Sequence, residues 1–150
     1  MDGPPPGNGK AVDFDLERFV RAQNEGGTYE AALAELRSGR KRGHWMWFVF
    51  PQVAGLGSSP SAQRFAIPGP VEAEAYLAHP VLGPRLVEAA RALAGLPGGD
   101  PVAVLGSVDA LKLRSSMTLF GRVAGDEPVF AEVLEKFYGG AEDEATLSRL

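Results

Sequence analysis

The run Trp45-Met46-Trp47-Phe48-Val49-Phe50 (WMWFVF) decides between two kinds of fold. As a strand it would seed a sheet; as a turn of helix it would leave the chain all-helical. Six uninterrupted apolar residues fit a buried strand and a buried helical turn equally well. Pro51 makes continuation of either awkward. The run itself stays open, so the weight falls on its neighbours.

Working outward, those neighbours read as helices. Upstream, residues 13–23 (DFDLERFVRAQ) put Phe14, Leu16, Phe19 and Val20 roughly on one face, with Asp13 as N-cap. Gly26 and Gly27 end that helix. Thr28 can cap a second, YEAALAELRSG (29–39), with Leu33 and Leu36 at core spacing and Gly39 as its stop. Downstream, residues 52–70 (QVAGLGSSPSAQRFAIPGP) read as a long loop, and loops of that length in compact domains tend to be functional or mobile. Helices follow at 71–80, stopped by Pro80, and at 81–96, closed by PGGD. Val102 to Leu105 fits a short strand or one helical turn, and Ser107 or Asp109 can cap a helix through Leu111, Leu113, Met117 and Phe120. PVFAEVLEKFYGG (128–140) is a clean amphipathic helix with Pro128 in its first turn and Gly139 after its last. EDEATLSRL (142–150) makes a weak final helix.

The fold class expected is mainly α. It is a single compact orthogonal helical domain of about six or seven helices over 13–150, with at most one or two marginal short strands. Residues 1–12, rich in proline and glycine, are expected to be a disordered tail. The length of 150 residues suits one domain, and 45% apolar residues suffice for a core.

Composition excludes several chemistries. Cysteine is absent, so there is no thiolate nucleophile and no cysteine metal site. With only His44 and His79, a histidine-rich zinc site is not expected, and no metal or other cofactor is assigned. A formal charge of −4 argues against general DNA or acidic-membrane binding. No apolar run approaches the roughly 20 residues of a membrane span. The N-terminus lacks signal-peptide regions, so a cytoplasmic monomer is the expectation. GLGSSP lacks the lysine of a P-loop, no Rossmann fingerprint exists, and LGSVD is not a nucleophile elbow. Glu17, Glu35, Glu72 and Glu74 read as solvated helix positions.

Three polar clusters remain. RKRGHWMW (40–47) is either a solvated basic turn before core aromatics or an anion pocket. In the pocket reading Arg40, Lys41 and Arg42 meet phosphate, and Trp45 or Trp47 stacks on a planar ring. PQVAGLGSS (51–59) is either a turn or a ligand loop. Gln52 would supply an amide that needs partners, Gly55 and Gly57 would permit close backbone approach, and Ser58 and Ser59 would add hydroxyls. KLRSSMTLF (112–120) places Lys112, Ser115 and Ser116 on neighbouring helix positions. They form a tight packing face or a serine–lysine pair. His79 is explained by contact with helix-terminal carbonyls, and Arg85 by an ion pair or the same anion.

Taken together, RFVRAQ (18–23), ALAELRSGRKRGHWMWFVFPQVAGLGSS (32–59), EAEAYLAHPVLGPRL (72–86), LKLRSSMTLF (111–120) and FYGGAEDEATLSRL (137–150) resemble the domain-of-unknown-function family 1810, from about Phe14 to Leu150. The resemblance implies a compact, mainly helical domain and brings no established activity. A much looser similarity, in the order F-x-x-AQ, helix ending in GR, tryptophan, AYLAHPVLGPRL, is to the NADAR superfamily. That one would imply NAD or ADP-ribose chemistry, although the family's acidic catalytic position has no counterpart here.

Three functions compete. In the first, a polar pocket binds or processes a nucleotide or ADP-ribose-like, phosphate-bearing small molecule. His44, Gln52 and Ser115 would be its catalytic candidates, and Arg40, Trp45, Trp47, Gly55, Gly57, Ser58, Lys112 and Ser116 its binding residues. An enzyme of this kind would be a hydrolase of an N-glycosidic or ADP-ribose-like compound. In the second, Arg40–Arg42 form a docking surface for an acidic protein or RNA. In the third, the motifs only specify a core. The first requires His44, Gln52, Lys112 and Ser115 to converge within about one hydrogen-bonded shell.

Overall fold

The structure, a computed structural model, describes residues 15–150. The tail at 1–12 and the Asp13 cap lie outside them. Ten α-helical segments occur among the described residues, and six are eight or more residues long. These six are α1 (Glu17–Asn24), α2 (Thr28–Ser38), α5 (Pro70–Ala78), α6 (Leu82–Ala94), α8 (Ser107–Val123) and α9 (Val129–Tyr138). The short ones are α3 (Met46–Val49), α4 (Pro60–Arg64), α7 (Pro101–Leu105) and α10 (Glu144–Leu147).

The deciding run is helical. The Val49 and Phe50 N–H groups donate to the Trp45 and Met46 carbonyls at 3.1 and 3.0 Å, closing the single turn of α3. Pro51 has no N–H to extend it. The chain then runs extended just long enough for an isolated parallel bridge, Val53 to Ile67. Ala54 N donates to Ile67 O at 2.8 Å, and Ile67 N to Gln52 O at 2.9 Å. That bridge is the whole of the β structure among the described residues.

Local signals explain the remaining boundaries, with corrections. Residues 52–70 are not all loop: the Ser59 hydroxyl accepts the Ala62 N–H at 3.1 Å and starts α4, with Pro60 in its first turn. Thr28 is the first residue of α2 rather than its cap, and Gly27 holds the cap position. Neither Ser107 nor Asp109 caps α8; Gly106, at φ +87°, sits at that junction, and Asp100 caps α7 instead. Gly39 adopts φ +82°, which suits glycine, and ends α2 as its spacing predicts.

Helix α8 is the hub. It packs on α5, α7, α9 and α10, while α6 packs on α2, α5 and α9. A chain of rings runs through the interior: Phe65 to Phe19 (5.7 Å between centroids), Phe19 to Tyr76 (5.1 Å), Tyr76 to Phe120 (5.3 Å) and Phe120 to Phe130 (6.1 Å). These contacts tie α1, α5, α8 and α9 into one core.

Candidate functional site

Helix α8 carries Lys112 and Ser115 one turn apart on the side facing the 52–59 loop. The turn into α10 folds back across the same side. Between them lies a hollow of about 470 Å³, within the usual range for small-molecule sites. Trp47, Gln52, Gly57, Ser58, Lys112 and Ser115 all line it. Residues some sixty positions apart in the chain therefore meet.

The polar groups are not equivalent. Gln52 is half-buried, and among the described residues the one hydrogen bond it makes is through its backbone carbonyl, which accepts the Ile67 N–H. Its backbone is pinned by the Ile67 bridge, and its amide faces the hollow. Ser115, only 2% exposed, is bonded to the Thr146 hydroxyl at 2.7 Å. Thr146 in turn donates to Asp143 Oδ2 at 2.6 Å. The Thr146 N–H donates to the same oxygen at 3.0 Å, so Asp143 is also the N-cap of α10. The Asp143 N–H reaches the Thr118 hydroxyl at 2.9 Å, locking this turn onto α8.

One turn before the lining residue Lys112, Asp109 sits between two lysines, neither Asp109 nor Lys41 lining the hollow itself. Lys41 Nζ lies 2.8 Å from Oδ2 and Lys112 Nζ 3.4 Å from Oδ1. Each ammonium also stands over an indole, Lys41 over Trp45 at 5.1 Å and Lys112 over Trp47 at 4.7 Å. Two cations share one carboxylate, which leaves one net positive charge in this group of three, with Lys112 its member on the hollow. Val108 and Leu111, 65% and 67% exposed, complete an apolar edge.

Other candidates lie elsewhere. His44 lines a separate hollow of about 1060 Å³ between α1, α2 and α3, so it does not join Gln52, Lys112 and Ser115. Arg40 is exposed and does not line the Ser115 hollow. Trp45 is 2% exposed, and its indole N–H donates to Glu35 Oε1 at 2.9 Å. Ser116 is fully buried and does not line the hollow, and its hydroxyl has no partner among the described residues. Gly55 adopts φ +97° beneath the Arg149 guanidinium, where a Cβ would come within 3.2 Å of it. Gly57 is required by packing, since a Cβ there would sit 2.8 Å from that of Ala62. Arg85 donates to Gln23 and Asn24, away from the hollow.

Three polar readings from sequence are corrected. Glu35 is not a plain solvated residue. Its Oε1 accepts the Arg42 N–H (2.8 Å), the Gly43 N–H (3.0 Å) and the Trp45 indole, so it organises the basic turn. Desolvation pushes its carboxyl up, but these donors and the Lys41 charge outweigh that and hold it below the ordinary glutamate value. Glu72 is 3% exposed and paired with Arg18 at 2.9 Å. Its burial keeps the carboxyl raised despite that pair. The His79 backbone N–H closes α5 on the Tyr76 carbonyl at 3.2 Å, but the imidazole does not turn to the final carbonyls. Its Nδ1 accepts the Val81 and Leu82 N–H groups at 3.1 and 3.3 Å, capping the start of α6.

Asp143 and Thr146 went unnoticed in sequence as members of this site. The signal available was modest: an aspartate three residues before a threonine at the start of the final helix. Among the described residues no three His, Asp or Glu side chains cluster so as to hold a metal ion, and no helix is long and apolar enough to cross a membrane.

These features define a class: small all-helical domains built around one long central helix, with a polar-floored hollow beside it. The chain belongs to the family described as Protein of unknown function (DUF1810), whose profile matches residues 13–150. It is similar to the solved structure of the conserved hypothetical protein Rv1873 from Mycobacterium tuberculosis. The two share 51% identity over 91% of this chain and 96% of that one, with a TM-score of 0.88. No curated protein matches the chain. None of these matches extends the looser likeness to the NADAR superfamily.

Proposed function

We propose that the hollow beside α8 is a binding site for a small molecule that combines a planar ring with one anionic group, a mononucleotide-like ligand. The observation that carries this reading is the convergence of Gln52, Trp47, Lys112 and Ser115 on one hollow, with the Gln52 amide free of protein hydrogen bonds among the described residues. The carbonyl and amino groups of that amide can each bond water or a guest. Trp47 offers ring surface, and the two lysines around Asp109 offer one net positive charge. A diphosphate such as ADP-ribose is less well served, because Arg40 lies outside the hollow. Catalysis is not part of the reading: His44 is not beside Ser115, and the Lys112 ammonium is engaged by Asp109 and Trp47. A cytosolic setting accords with such a ligand.

The test is titration with CMP, UMP, AMP and IMP at millimolar concentration, followed by the Trp47 indole N–H resonance and by calorimetry. Binding that shifts Trp47, and that weakens roughly tenfold in Gln52→Ala and Lys112→Met, supports the site. Absence of any shift at Trp47 with all four removes it.

A second reading rests on exposed side chains around the mouth. Val108 and Leu111 are largely solvated, and Arg40 and Arg42 stay exposed nearby, whereas Lys41 is committed to Asp109. An acidic protein partner would suit that rim. Loss of a captured partner in Arg40→Ala/Arg42→Ala, with nucleotide binding intact, would favour it.

A further inference from the structure

The direction of the hydrogen bonds on the floor of the hollow constrains its guest further. Thr146 has a single hydroxyl proton, and a carboxylate has none to give. The 2.6 Å contact with Asp143 Oδ2 therefore takes the Thr146 proton. It follows that across the 2.7 Å contact with Thr146 the donor is Ser115. The relay runs one way, from Ser115 through Thr146 to Asp143. Ser115 has spent its proton inward, so it can only accept from a guest. Asp143 Oδ2 is saturated by the Thr146 hydroxyl and N–H, while Oδ1 receives no protein donor among the described residues. Asp143 has no cationic side chain within ion-pairing distance among them either. Two acceptors, each one hydrogen bond from the same threonine hydroxyl, thus line one end of the hollow. The positive charge comes from Lys112, one turn earlier on α8 and paired with Asp109.

We infer that the floor reads a group with two N–H donors, so that the ligand's ring bears an exocyclic amino (or amidino) group rather than a carbonyl at its inner edge. This rests on the small-molecule reading above and narrows it. A carbonyl placed there would face the Ser115 lone pairs and the Asp143 carboxylate with no donor between them, a repulsive and unsatisfied arrangement. The Gln52 amide carries both a donor and an acceptor, so it can serve either edge and adds affinity without choosing.

The experiment compares matched pairs, CMP with UMP and AMP with IMP, on the full chain and on Asp143→Asn. Asparagine keeps the N-cap of α10, so folding is retained; it supplies a donor where the carboxylate only accepted. The expected result is that the amino-bearing member of each pair binds roughly tenfold or more tightly, and that the preference shrinks to about twofold or reverses in Asp143→Asn. Thr146→Val, which removes the hydroxyl that takes the Ser115 proton, should also weaken the preference. If UMP and IMP shift Trp47 as tightly as CMP and AMP, the inference is overturned while the binding site stands. If the preference survives unchanged in Asp143→Asn, the assignment to this floor is overturned as well. If none of the four shifts Trp47, the site and the inference fall together.

Discussion

At the scale of single residues, two serines side by side on α8 meet opposite fates. Ser115 is bonded to Thr146, and Ser116 is sealed in the core with an orphaned hydroxyl. Ser116→Ala removes no bond and favours the helix, so urea denaturation should show stability unchanged or raised by up to about 1 kcal/mol. Ser115→Ala leaves Thr146 without its donor and should cost about 1 kcal/mol. Glu35 gives a pH-dependent case. Its folded-state acidity is increased, so its contribution is fully present above the unfolded glutamate value and is lost as pH falls through the lower folded one. Glu35→Gln should cost about 1 kcal/mol at pH 7, modest because the carboxylate is partly solvated. The gap from the native chain should close below about pH 4, as paired denaturation curves would show. None of this is visible in the sequence. SS at 115–116 carries no mark of which hydroxyl finds a partner, and Glu35 looks like any helix-surface glutamate until the basic turn wraps over it.

At the scale of elements, the long helices were legible because their signals are local. Apolar spacing, Gly39 and Gly139 as stops, and Pro128 in a first turn all depend on a few adjacent residues. The short elements were not. WMWFVF has one face of a turn buried and the other half-buried, a pattern too brief to carry a period. Helix α4 hides inside a loop-like composition because five residues started by Ser59 and Pro60 need no apolar stripe. Glycine marks one junction that propensity alone misreads. Gly83 lies within α6, where glycine is normally a penalty. Yet a Cβ there would stand 2.1 Å from the Leu77 carbonyl oxygen, so the close crossing of α5 on α6 demands its absence. Gly83→Ala should therefore destabilise by about 2–3 kcal/mol despite its better helix propensity, measurable as a lowered denaturation midpoint with an unchanged slope.

At the scale of the whole molecule, one core runs from Phe65 and Phe19 through Tyr76 to Phe120 and Phe130. Unfolding should be a single cooperative event. In Trp47→Phe, the fluorescence of buried Trp45 and the far-UV helical signal should change at the same denaturant concentration; separated midpoints would show that α1–α3 form an independent unit. The same packing makes the hollow. It exists because α10 returns onto α8 through the Thr118–Asp143 and Ser115–Thr146 bonds, while the bridge to Ile67 brings Gln52 alongside. The amino-acid sequence by itself determined the helical class and the family, since apolar period, turn residues and long specific strings are all written in neighbouring positions. Only the tertiary structure decided that Lys112, Ser115 and Gln52 share a wall, that His44 stands apart and that Asp143 joins the floor. Those facts depend on how distant helices cross, which is set by side-chain packing across the core and leaves no local trace.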